Sequence, residues 1–455
     1  MMPSRRGPDL LPGQPAKRRD GCRSGSGATA KPPEAAPATG GAFPPAQRRV
    51  GMQLSAGTRL LLALLLATGA SQFHRAALGV VGPELTAGLS AGPGLLGAAN
   101  GAFFLAIMLA QVPVGLALDR IGPRRTVAAL SLLAVAGAGA QALAPDAASF
   151  LAARFLLGLG CAAYFMAAVV LCARWHAGEG LTAAIAKVFA LSQLGILLAG
   201  APFAAATEAF GWRHAYTLSA LLTGLVLLAW LRWVQDWPPD RPAPAHPPET
   251  LGAALRGQWL VWRTPGLWPV LCMHAVGYAG MATVLAVWAG PYLAEVHGLA
   301  PGPRGAVLLA MGLALPLGLM AVGPLERRLN SRKWLVVGLC SAVVLVMAAL
   351  AAWPRPPLWL AVALLVALCL LNSFPVVVVA HGRSFFPDHL VGRGATTVNL
   401  AQTFGSAALP AFTGWMIGLV PPHLAYTAAF GSLALALALG LLGYLFARDA
   451  PPRPA

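Results

Sequence analysis

The sequence predicts an all-α membrane protein of twelve transmembrane helices arranged as two pseudo-symmetric six-helix bundles. Three observations predict it. The first is composition: of 455 residues, 57% are apolar and only 10% charged, whereas soluble domains carry roughly 25% charged residues. The second is a series of twelve apolar stretches, each near the roughly 20 residues that a bilayer-spanning helix needs. The third is a loop that occurs twice. Gly115-Leu116-Ala117-Leu118-Asp119-Arg120-Ile121-Gly122-Pro123-Arg124-Arg125 returns in looser form as Gly323-Pro324-Leu325-Glu326-Arg327-Arg328-Leu329-Asn330-Ser331-Arg332-Lys333, and the leading glycines stand 208 positions apart. Membrane proteins built from two similar halves produce such internal copies.

Residues 1–57 are rich in Pro, Gly, Ala and Arg and have no apolar period; they read as a disordered cytoplasmic tail. No apolar core follows the first charges, so the tail is not a signal peptide. Met52, just before the first apolar stretch, is an alternative start of translation. Spans are expected at about 58–80, 95–118, 126–144, 150–173, 184–207, 214–233, 267–292, 305–325, 334–352, 358–380, 394–419 and 424–446. They are rich in Ala, Gly and Leu, and small residues let helices approach closely in lipid. A central cytoplasmic loop, 234–266, separates a first bundle (58–233) from a second (267–448). Its Pro238, Pro239, Pro242, Pro244, Pro247 and Pro248 cannot continue a helix. Residues 449–455 form a short cytoplasmic tail.

The basic residues fix an orientation. Of 32 Lys and Arg, Arg75 and Arg154 fall within spans, and Arg213, Arg304 and Arg355 fall in loops assigned outside. The other 27 lie in loops, tails or membrane edges assigned to the cytoplasm, so both termini are expected inside. The net charge of +17 therefore reflects membrane orientation and not nucleic-acid binding. Five of the six cysteines lie in apolar runs and none forms a CxxC pair, so neither a disulfide framework nor a metal site is indicated. Gly88-Leu89-Ser90-Ala91-Gly92 satisfies G-x-S-x-G without the strand–turn–helix context of a hydrolase. No phosphate-binding G-x-x-x-x-G-K-[ST] loop occurs. No enzyme and no cofactor is expected.

In the repeated loop, Asp119 ends an apolar run beside the positive N-terminus of whatever helix packs nearby. Gly122 permits a tight reversal, and Arg124 and Arg125 hold the loop at the cytoplasmic face. A purely topological basic loop is the alternative. The stretch from Gly115 to Arg125 resembles the signature loop of the major facilitator superfamily, G-x-L-x-D-R-x-G-R-R, with Pro123 as a departure. The resemblance covers about residues 55–448. It implies two six-helix bundles around a central cavity that opens alternately to either side. It also implies a cytoplasmic gate at Gly115, Asp119, Arg120, Gly122, Arg124 and Arg125, echoed at Gly323, Glu326 and Arg327.

An Arg at mid-bilayer costs about 2.5–3.5 kcal/mol by insertion scales, so such residues usually face a cavity or a partner. In Ser71-Gln72-Phe73-His74-Arg75, the pair His74 and Arg75 sits deep in the first span. It resembles the first helix of organophosphate and related anion transporters, where an Arg binds the anion. Snorkelling to the outer interface is the alternative for Arg75. Arg154-Phe155-Leu156-Leu157-Gly158-Leu159-Gly160-Cys161-Ala162 resembles the family's fourth-helix motif, whose Arg is tied to proton coupling; Leu157 departs from it, and an Arg near the outer interface is again the alternative. Helix five carries only a degraded likeness of the antiporter motif, in Gly195 to Pro202. No carboxylate occupies the middle of a span, so a cavity with Arg and His has positive potential and favours an anion. His74 or His274 would carry a coupled proton.

Asn100, Tyr164, Gln193, His274, Tyr278, Asn372 and Asn399 could complete the cavity. Singly, each is more often a helix–helix hydrogen-bonding group. Both intramembrane arginines fall in the first half. The expected function is secondary transport of a small anion by alternating access, driven by a proton or counter-anion gradient. In it Arg75 and His74 bind, Arg154 couples, and the repeated loops gate. The expected setting is a monomer in the inner membrane of a bacterial-type cell, with a small-molecule substrate and the lipid bilayer as partners. Export of amphipathic compounds, or a transport-inactive sensor on the same scaffold, are the alternatives.

Overall fold

The computed structural model describes residues 55–176, 180–239, 252, 261–385 and 391–449. The tail at 1–54, most of the central loop, the loop residues 386–390 and the last six residues lie outside the described residues, and with them the expectations placed there. Among the described residues the ordered structure is helical, and eleven helical stretches are long and apolar enough to cross a membrane.

In chain order these are α1 Ala56–Gly88, α2 Gly94–Arg120, α3 Pro123–Leu143, α4 Ala147–Trp175, α5 Ala184–Phe210, α6 Trp212–Trp233, α7 Leu267–Glu295, α8 Pro301–Leu329, α9 Arg332–Ala352 and α10 Leu358–Arg383. Next comes α11, Val391–Leu419, and then the eleventh such stretch, α12, Pro422–Tyr444. Helix α11 has 29 residues but carries Asn399, Gln402, Thr403, Ser406 and Thr413, and composition does not place it among the eleven. It packs along α2 and α7.

Local chemistry sets the helix starts. The Ser55 hydroxyl accepts from the Thr58 N–H at 3.1 Å at the head of α1. Asp146 and Ser149 form a reciprocal capping box at the head of α4, which satisfies two orphan donors at once. Ser331 caps α9. Gly122, at φ +97°, turns the chain from α2 into α3, a conformation that a residue with a Cβ rarely adopts.

Four of the spans are interrupted. Helix α4 loosens at Ala162 and Ala163, α5 at Gln193 and Gly200, and α10 between Leu371 and Pro375. Within α7, Val284–Trp288 forms a π-helical segment. Pro291 follows it and supplies no N–H to the carbonyl of Val287, one turn back. Short π segments occur frequently at functional sites; this one borders the pocket described below.

The spans extend beyond their expected limits. Helix α1 runs to Gly88, so Glu84 lies inside its last turns. Arg304, expected in an external loop, is buried in the first turns of α8. The two meet at 2.7 Å.

Candidate functional site

The two halves touch most closely at the end marked by Glu84. Arg304 donates to both Glu84 carboxylate oxygens, at 2.7 and 2.9 Å, and to the Val80 carbonyl at 2.7 Å. Around this ion pair the helices meet through residues with little or no side chain. A Cβ on Gly79 of α1 would stand 2.8 Å from the Ala286 backbone of α7, and one on Gly97 of α2 would fall on the Pro410 carbonyl oxygen of α11. Close backbone approach of this kind is what small residues provide between membrane helices.

At the opposite end, near Asp119, the hydrogen bonds of the repeated loops among the described residues stay within each half. The Asp236 carboxylate, just past α6, accepts from the Arg124 N–H at 2.7 Å. The Arg124 guanidinium in turn donates to the Leu231 carbonyl at 2.8 Å. In the second half the Asp449 carboxylate, just past α12, accepts from the Lys333 N–H at 3.0 Å and from the Ser331 hydroxyl. Arg124 and Lys333 are the second residues of α3 and α9, so each acid sits on the same exposed donor at the positive end of the equivalent helix. Glu326 pairs with Arg332 at 2.8 Å. Asp119, Arg120, Arg125 and Arg327 are exposed. The repeated loops are thus bound internally, and Asp236 and Asp449 hold them where Asp119 was expected to.

Between the two ends a small pocket lies at the junction of the halves, with about 30 Å³ of free space in this conformation, room for about one water. Gln72, Arg75 and Ala76 of α1, Phe104 of α2 and Ile196 of α5 line it from the first half. Tyr278, Met281, Ala282, Leu285 and Ala286 of α7 and Leu315 of α8 line it from the second. No Asp or Glu is among these residues. The Arg75 guanidinium carbon stands 5.1 Å from the Phe104 ring centre and 5.2 Å from that of Phe165. Its Nε is buried without a hydrogen-bond partner. Gln72 donates to Gln193, which sets an amide pair beside the arginine.

His74, next to Arg75 in sequence, points elsewhere, because successive residues on a helix are turned by about 100°. Its Nε2 bonds the Thr223 hydroxyl of α6 at 2.9 Å inside the first bundle. Arg154 is wholly buried behind the pocket. It donates to the carbonyls of Ala99 (3.3 Å) and His74 (3.0 Å) and to the Asn100 amide oxygen (3.4 Å), with its guanidinium 4.8 Å from the Phe103 ring centre. Tyr164 bonds Ser131 at 3.0 Å. His274 is buried and bonds the Gln402 side chain. Asn372 is buried at the break in α10 with both amide atoms unpaired, and Asn399 is exposed.

Of the expected binding residues, then, the structure brings Arg75 and Tyr278 to the pocket and Gln193 to its edge. His74, Asn100, Tyr164, His274, Asn372 and Asn399 do not line it in this conformation. Sequence reading missed Gln72, although it stands three residues before Arg75 and so shares its helix face. It also missed the pairing of Glu84 with Arg304, which needs the two halves placed together.

A family model described as Major Facilitator Superfamily matches residues 64–408. A putative tartrate transporter of Agrobacterium vitis is 23% identical over 366 residues, covering 71% of this chain and 75% of that protein. A quinolone resistance transporter of Acinetobacter baumannii is 28% identical over 189 residues, covering 39% of this chain and 42% of its own. Among solved structures, a bacterial homologue of the human lysosomal transporter Spinster superposes with a TM-score of 0.68 at 16% identity, covering 86% and 95% of the two chains. A D-xylose–proton symporter gives 0.69 at 15% identity, covering 88% and 98%. These low-identity structures establish the fold alone. The family match over most of the chain makes this protein a membrane transporter, not an enzyme: it belongs to the Major Facilitator Superfamily.

Proposed function

We propose that this protein is a secondary transporter of a small organic anion, working by alternating access and driven by a proton or counter-anion gradient. One observation carries the reading: an arginine without a carboxylate partner, Arg75, faces the pocket between the halves. An unpaired cation in a low-dielectric cavity attracts an anion and repels cations. Arg75 binds the anion, with the Gln72–Gln193 pair and Tyr278 as neutral partners. Arg154, which bonds the His74 carbonyl, and His74 itself form the coupling region. The remaining buried polar groups hold the helices in register. The name of the Agrobacterium vitis relative, a putative tartrate transporter, agrees with a negative charge on the substrate; tartrate carries two carboxylates, so that name supports the sign of the charge and not the number of charges this pocket takes.

Residues 58–233 and 267–448 are the two rocking units, and α11 is the twelfth span. The excess of Lys and Arg at the Asp119 end supports a cytoplasmic location for that end and for both termini. In this reading the conformation is closed on the outside, in the inner membrane, and the monomer is the working unit.

The reading is tested by thermal unfolding of the purified protein against a panel of small anions, cations and neutral solutes, with Arg75→Ala alongside. A ligand at one hundred times its Kd stabilises by about 2.7 kcal/mol. Anions should stabilise the native protein and lose that effect in Arg75→Ala. Stabilisation by cations or neutral amphiphiles alone would contradict the anion reading and favour export of uncharged or cationic compounds.

A further inference from the structure

We infer that the pocket selects an organic anion with a single negative charge and an apolar body, and rejects dianions. The inference rests on the reading of Arg75 as the anion-binding residue and deepens it. Arg75 is the one cation that lines the pocket among the described residues. The nearest other buried arginine, Arg154, directs its donors to the Ala99 and His74 carbonyls and the Asn100 amide oxygen. His74 and His274 are turned into their own bundles, toward Thr223 and Gln402. Glu84 and Arg304 neutralise each other at the closed end. One guanidinium therefore has to match the whole charge of the ligand.

The opposite wall decides what the rest of the ligand is. Facing Arg75 from the second half are Met281, Ala282, Leu285, Ala286 and Leu315, with Tyr278 as the polar exception. Phe104 and Phe165 stand against the guanidinium and add apolar area without adding charge. A planar carboxylate takes a bidentate pair from the arginine fork. A second carboxylate at the far end of the ligand would lie against Met281, Leu285 and Leu315, and an unpaired charge buried against apolar groups is strongly disfavoured. An alkyl or aryl group placed there leaves water for a matching surface. The Gln72–Gln193 amides and Tyr278 can serve one further neutral polar group. They cannot neutralise a second charge.

The test uses matched probes on the full chain in detergent, measured by titration calorimetry. Hexanoate and adipate share six carbons and differ by a methyl group against a second carboxylate. Inorganic phosphate and butyrate complete the set. Hexanoate is expected to bind at least about tenfold more tightly than adipate, and more tightly than butyrate, because each buried methylene adds to affinity. Arg75→Ala should abolish the hexanoate signal. Leu315→Lys, which places a second cation on the apolar wall, should move the preference toward adipate. If that variant does not fold, the native matched series decides alone. Adipate or phosphate binding as tightly as hexanoate, and through Arg75, overturns the monoanion inference while leaving the anion reading intact. Hexanoate binding unchanged in Arg75→Ala, or no anion binding at all, overturns both.

Discussion

The two halves of this protein are alike where the chain turns and unlike where a substrate would sit. At the Asp119 end, Asp236 and Asp449 each follow the last helix of their half and accept from the N–H of the second residue of the third helix, at 2.7 and 3.0 Å. At the pocket the symmetry is lost. The first half contributes Arg75 and Gln72, and the second contributes an almost wholly apolar wall. The difference separates two demands on the chain. Both halves must hold their helix ends rigidly if they are to rock as units. Recognition needs only one of them to carry the charge.

The sharpest way to break the comparison is at the charge. Arg75→Ala should lower anion uptake by proteoliposomes to background. Arg75→Lys should keep a fraction of it, since an ammonium keeps the charge but lacks the planar fork. Next comes the closed end. A Cβ on Gly97 would overlap the Pro410 carbonyl, so Gly97→Val should prevent close contact of α2 with α11. Single cysteines placed beside Glu84 should then label with a membrane-impermeant maleimide, while in the parent they stay protected.

The Glu84–Arg304 pair follows. Glu84→Gln leaves the Arg304 guanidinium buried with one charged partner fewer. Breaking a fully buried pair costs about 3–5 kcal/mol. Here Glu84 is 30% exposed, and solvent screening brings the expected loss below that range. A thermal unfolding series over Glu84→Gln, Arg304→Met and the double variant measures the coupling, and the double variant should be less harmed than the sum of the singles. The smallest effects belong to the symmetric caps. Asp236→Asn and Asp449→Asn should each cost roughly 1 kcal/mol and by similar amounts. A large inequality between them would show that the two ends are not equivalent.

Most of the fold was legible because membrane solvation imposes it. Only helices and closed barrels satisfy every backbone group in lipid, so the apolar stretches marked the helices, within a few residues at most ends and eight short at the end of α1. The repeated loop marked the two turns that Asp236 and Asp449 cap in the same way. Arg75 was legible because a charge in a span needs a reason, and Tyr278 and Gln193 joined it. Other polar residues were equally visible in sequence but face their own bundles. Which face of a helix looks inward depends on its rotation against neighbours, and the near-uniform apolarity of α1 and α2 gives no stripe from which to read that rotation. The Glu84–Arg304 contact spans 220 positions, and the Asp236 cap spans 112. Neither pairing has a local signature.

The central claim is that the anion bridges the halves, with its charge on Arg75 and its body against α7 and α8. A structure of the protein with 4-bromobenzoate, phased for bromine, tests it most directly. The account predicts the carboxylate within hydrogen-bonding distance of the Arg75 guanidinium and a bromine peak beside Met281, Leu285 and Leu315. A bromine peak elsewhere in the molecule, or one that persists in Arg75→Ala, would contradict it.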